Sequence, residues 1–124
     1  MVEMAVILPA FALIVFGMLE ATRMCMVAQL LTDAARQGCR VAVTNGKTSA
    51  DVTASVDAAL DASKIRRTLV VRTLTPSSIE GTTSSDQISL TLSVDSRDVN
   101  WLGAPFFFKT GQVTAGATML SQRP

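Results

Sequence analysis

The sequence predicts an α+β protein: a long N-terminal helix, a short second helix and a small three-stranded antiparallel sheet. Three observations predict it. Apolar residues recur at helical spacing from residue 4 to residue 43; a second helical pattern opens at a capping motif; and the period changes to two in the C-terminal half.

The first helix is the most informative element. Glu3 precedes an apolar run, residues 4–19, that carries no charge, and Glu20 and Arg23 follow it. As a helix this run spans ~24 Å, and continuation through Arg23 to Ala28 supplies the ~20 residues that a bilayer crossing prefers. Glu20 and Arg23 at i, i+3 are placed to neutralise each other in part. A buried soluble helix is the bland alternative, but so small a protein has little with which to surround one. A cleaved signal peptide would want a basic start and a small-residue cleavage site, whereas the chain opens Met1-Val2-Glu3. A retained anchor is therefore expected, with residues 1–24 as the membrane part and residues 25–124 as an aqueous domain. Pro9 interrupts one backbone donor inside the run, which membrane helices tolerate. Gly17 and Ala21 form a small-xxx-small pair suited to close helix approach.

From Cys25 to Val43 the pattern remains helical, now with Gln29, Asp33, Arg36 and Arg40 interleaved. Ala35, Gly38, Cys39 and Ala42 form a shallow stripe suited to close packing, and Asn45-Gly46 ends the helix. The whole would run about 40 residues, roughly 60 Å. Cys25 and Cys39 would then lie roughly 21 Å apart on one helix, far beyond disulfide reach. They read as small apolar fillers, with an intersubunit bridge as the alternative.

Thr48 and Asp51 make a capping box for a helix over residues 49–62, whose apolar positions are Val52, Val56, Ala59 and Leu60. Lys64, Arg66 and Arg67 follow, where positive charge suits the helix dipole; a lipid or nucleic-acid patch is the sharper alternative. Residues 69–74 read as a strand of imperfect alternation, and residues 88–94 as the cleanest strand, with Ile88, Leu90, Leu92 and Val94 on one face. The Ser- and Thr-rich residues 76–86 read as an exposed hairpin connection. The last strand places Val113, Ala115, Ala117 and Met119 on one face. The sheet must cover that face with the amphipathic halves of the helices.

Four of the six aromatic residues, Trp101, Phe106, Phe107 and Phe108, fall in the connection between the last two strands. Such a loop either folds back to plug the edge of the core or presents an apolar patch that docks on a partner or the lipid interface. Catalytic chemistry is not expected. The chain has no His, so the ordinary triad base is missing, and it has no phosphate loop or Cys/His cluster. Asp95-Ser96-Arg97-Asp98 reads as a turn after a strand. No cofactor or metal is expected, and a net charge of +1 advertises no nucleic-acid partner.

The blocks Met1-Val2-Glu3-Met4-Ala5-Val6-Ile7-Leu8-Pro9, Phe16-Gly17-Met18-Leu19-Glu20 and Ala34-Ala35-Arg36-Gln37-Gly38-Cys39-Arg40, at their spacing, resemble the TadE-like family over about residues 2–42. These are small pilin-like proteins of the tight-adherence (Tad) pilus and secretion machinery. The resemblance implies a non-enzymatic minor pilin or pseudopilin, anchored once in the bacterial inner membrane with its C-terminal domain outside the cytoplasm. It implies as partners other pilin or pseudopilin subunits, the Tad inner-membrane assembly platform, the lipid bilayer and a prepilin peptidase. Glu3, Pro9, Gly17 and Glu20 would serve subunit assembly and register. Glu3 would be the counterpart of the glutamate near the start of mature pilins, with a charge resting at the membrane surface as its bland reading. Arg23, Arg36 and Arg40 alone would favour the C-terminus inside; the opposite orientation assumes the family's basic leader, which this sequence does not contain. A membrane-anchored binding module using residues 101–108, and a secreted domain freed of its first twenty residues, are the competing readings.

Overall fold

A computed structural model describes residues 2–99, 106–107 and 109–124. Helix α1 runs Val2–Val43 and α2 Ser49–Ala62; strands β1 (Val70–Thr75), β2 (Gln87–Asp95) and β3 (Gln112–Leu120) follow. Short 3-10 turns, Arg67–Leu69 and Ser96–Asp98, flank the first two strands. The strands form one antiparallel sheet in the order β1-β2-β3. The α+β architecture is thus the one that the sequence predicts.

The two halves of α1 differ sharply. The first is bare: an 18-residue stretch apolar enough to cross a membrane has none of its residues buried, and Leu8 is 67% exposed. Pro9 lies within the continuous helix. From Glu20 onward one face is covered, and Val27, Leu31, Ala34, Ala35, Gly38, Cys39 and Ala42 are buried. Apolar residues thus coat the whole circumference first and a single stripe afterwards, which is how a helix passes from a lipid-compatible to an aqueous setting. By length and composition α1 suits a single-pass membrane anchor.

The stripe of small residues lets α1 lie close on both α2 and the sheet. A Cβ on Gly38 would come within 2.5 Å of Leu90 on β2 and 2.7 Å of Val56 on α2, so three elements meet there because Gly38 has no side chain. The Cys39 thiol lies 3.1 Å from the Ala117 carbonyl of β3 as a hydrogen-bond donor, and burial pushes its pKa up. Cys39 is a core filler, while Cys25 is exposed.

The sheet offers α1 and α2 the face of Ile88, Leu90, Leu92 and Val94, all buried. The imperfect alternation of β1 has a direct cause. Arg72 lies on the same face as Val70 and Leu74, and its guanidinium pairs with Asp57 of α2. Residues 76–86 depart from the expected exposed hairpin, because Ile79 is fully buried. As the one large apolar residue there, it seals the end of the core remote from the bare helix, and buried Arg123 donates to its carbonyl at 2.7 Å and to that of Lys47.

The capping box at α2 is present as read: the Thr48 hydroxyl accepts from the Asp51 amide, and Asp51 accepts from the Thr48 amide at 2.9 Å. Glu80 accepts from Ser78 and from the Ser49 amide, tying residues 76–86 to the start of α2.

Two outcomes are expected. Gly38→Ala forces side chains apart in a close-packed junction, at about 1–3 kcal/mol; thermal unfolding in detergent should show a lower Tm, whereas Gly81→Ala, with open space around it, should not. The Thr48 amide holds the Asp51 carboxyl below its ordinary value, and Ser78 with the Ser49 amide does the same to Glu80. These contributions are complete above the ordinary carboxylate pKa and vanish as pH falls through the depressed folded values. Amide protection factors at the start of α2, taken relative to the intrinsic exchange rate at each pH, should therefore fall in that acid window, and Asp51→Asn should remove the Asp51 part of the effect.

Candidate assembly and membrane interface

Glu20 sits where the bare half of α1 ends. It is 1% exposed, although a buried carboxylate is costly unless its oxygens are hydrogen-bonded. Backbone amides satisfy them: Phe106 N–H donates to Oε1 at 2.7 Å and Phe107 N–H to Oε2 at 2.9 Å. One turn later the Arg23 guanidinium donates through Nε to the Val99 carbonyl at 2.9 Å. Both side chains reach across to the β2–β3 connection, whose backbone groups need partners.

The described part of the aromatic loop therefore folds back onto α1 without being buried. The Phe106 ring stacks on Phe16, with centroids 6.4 Å apart and planes 11° from parallel. Phe107 lies over Gly17, where an added Cβ would come within 3.2 Å of its ring. Phe106 and Phe107 are nonetheless 61% and 56% exposed. Gly17 and Glu20 thus act together, the first admitting a ring and the second holding its backbone. Trp101 and Phe108 lie outside the described residues.

Glu3 is exposed in the first turn of α1, and Pro9 is exposed one to two turns on. The structure does not bring either near Gly17 or Glu20, since all four lie along one helix, and Glu3 and Glu20 are roughly 25 Å apart at the usual helical rise. No group of three or more His, Cys, Asp or Glu among the described residues could hold a metal ion.

These features concentrate in the part of the chain that compares with known proteins. Residues 1–40 match the family described as TadE-like protein. No curated protein and no solved structure matches the chain. The TadE-like match covers Glu3, Pro9, Gly17, Glu20 and Gly38, and it ends before the sheet and the aromatic loop. Together with the span-length bare helix it supports a Tad-associated, membrane-held, pilin-like protein.

Sequence reasoning found Glu20 and the loop separately and did not connect them. Their separation of 86 residues leaves no local signal, and the only hint is a carboxylate at the end of a run that otherwise excludes charge.

Glu20→Ala should release the loop while leaving β2 intact. Hydrogen bonds to a charged acceptor are worth about 1.5–3 kcal/mol each, so amide exchange at Phe106 and Phe107 should quicken by at least roughly tenfold. Unchanged protection there would contradict the clamp.

Proposed function

We propose that this chain is a non-enzymatic minor pilin or pseudopilin of a Tad-type pilus or secretion apparatus. It is held in the inner membrane by residues 1–24, with residues 25–124 outside the cytoplasm, and it helps initiate, cap or stabilise a filament. The observation that carries this reading is the uncovered first half of α1, which bears Glu3 in its first turn and a folded domain at its far end. Such a surface needs either lipid or neighbouring helices around it, and the TadE-like match over residues 1–40 favours both in turn. Its partners are other pilin subunits and the inner-membrane assembly platform, after processing by a prepilin peptidase.

Glu3 has a specific part in this proposal. A carboxylate in an apolar bundle costs several kcal/mol unless paired, and the N-terminal amine of an adjacent subunit supplies a partner. Glu3 thereby sets axial register. Pro9 and Gly17 lie on the same bare segment, where neighbouring subunits would pack.

A second reading, a membrane-anchored binding module without a filament role, draws on one observation, the exposure of Phe106 and Phe107. The two readings part on Glu3. In the first, Glu3→Ala abolishes or strongly reduces filament incorporation while membrane retention persists; in the second, Glu3→Ala has no effect. Topology is tested by a cysteine placed at Ser84, which is exposed at the end of the domain remote from the bare helix. Labelling by an impermeant reagent with membrane retention is the expected result, and a protected cysteine would reverse the orientation and sink the pilin reading.

A further inference from the structure

One end of the domain brings three cationic side chains to a single cleft. The registers Val70↔Val94 and Asp95↔Gln112 place the start of β1, the end of β2 and the start of β3 together. Glu20 and Arg23 tie the connections at that end to α1 just beyond its apolar run. The opposite end is marked by Gln122, whose amide reaches the Val43 carbonyl at the close of α1. The connections at the first end therefore face whatever surrounds the bare helix.

There, an open cleft of about 310 Å³ lies between α1, the α2–β1 connection and the turn after β2. Arg23, Lys64 and Arg66 line it, with Asp98 as the opposing carboxylate. Ile65, Leu69 and Val99 supply an apolar wall. Arg67, the third cation of the α2–β1 connection, is already engaged by Asp57 and Asp61 at 3.8 and 3.7 Å. Lys64 and Arg66 have no ion pair among the described residues. Lys64 is held in a left-handed turn (φ 57°), with its amide on the Asp61 carbonyl and the next amide on the Leu60 carbonyl. The turn is thus a defined shape and not a solvated tail.

Depth agrees with charge. The uncharged run of α1 spans ~24 Å and a hydrocarbon core is ~30 Å thick. The shortfall of roughly 6 Å corresponds to about four further residues. That brings Arg23 to the hydrocarbon boundary and the cleft to the level of lipid phosphates. Exposed Phe106 and Phe107 meet Phe16 and Gly17 roughly 10 Å deeper along α1, where apolar rings suit the hydrocarbon.

We propose that the cleft of Arg23, Lys64 and Arg66 binds the phosphate of an anionic phospholipid headgroup in the bilayer that α1 enters. The apolar wall takes the glycerol and upper acyl region, and the domain is seated on the membrane in one orientation. The proposal rests on the anchored reading of α1.

The test reconstitutes the full chain in nanodiscs of phosphatidylcholine alone or in equimolar mixture with phosphatidylglycerol. Amide exchange is then followed at residues 63–69 and, as a control on folding, along β2. A surface lysine or arginine contributes about a fivefold preference for an anionic membrane, so phosphatidylglycerol should slow exchange at residues 63–69 by at least that factor. The double variant Lys64→Glu/Arg66→Glu should lose the slowing while β2 stays protected. A chain that enters both discs but exchanges equally in them overturns the proposal. Equal slowing by inorganic phosphate in phosphatidylcholine discs overturns the lipid assignment in favour of a free-anion site. Failure to enter either disc removes the anchored reading itself, and the proposal with it.

Discussion

Helix α1 carries two kinds of surface along one axis, and the rest of the structure depends on the second of them. Its first half offers apolar side chains all round, and its second half offers one narrow stripe of small ones. A three-stranded sheet and a 14-residue helix cannot enclose an adequate core alone. They close around the stripe, and at Gly38 α1, α2 and β2 come too close together to leave room for a side chain. The domain is therefore built on the same helix that would anchor it.

The change from bare to covered surface falls at Glu20. A carboxylate at this position must either face water or be fully hydrogen-bonded, and two consecutive backbone amides meet that need. In return the β2–β3 connection gains an acceptor for N–H groups that no strand pairs. Gly17 completes the arrangement by leaving room for the Phe107 ring. The residues that resemble a family motif thus have an internal task in this chain, which is to fix an aromatic loop beside the end of the apolar run. A role in subunit contacts is compatible with that task, because the rings it positions stay exposed.

Much of this was legible in the sequence. The continuous helical period, the alternation of β2 and β3, and the Thr48–Asp51 capping box are local patterns, and each element formed where its pattern lay. Errors arose where a residue's role depended on distant partners. Ile79 sits in a Ser- and Thr-rich segment that reads as exposed, and only the open end of the core makes its burial favourable. Arg72 spoils the alternation of β1 until Asp57 of α2 is seen opposite it. The sequence shows Glu20 and Arg23 as neighbours on a helix and gives no sign that both also hold the β2–β3 connection.

By itself the sequence determined the elements, their order and the division of α1 into an apolar half and a striped half, because side-chain periodicity and charge exclusion are read along the chain. The tertiary structure alone decided which residues meet across it: Gly38 with Leu90 and Val56, Arg123 with the Ile79 carbonyl, Glu20 with the amides of Phe106 and Phe107. The physical reason is that buried polar groups take whichever partners the fold brings near, and every residue offers a backbone acceptor and every residue but proline a donor. Composition therefore cannot specify which of them will be chosen.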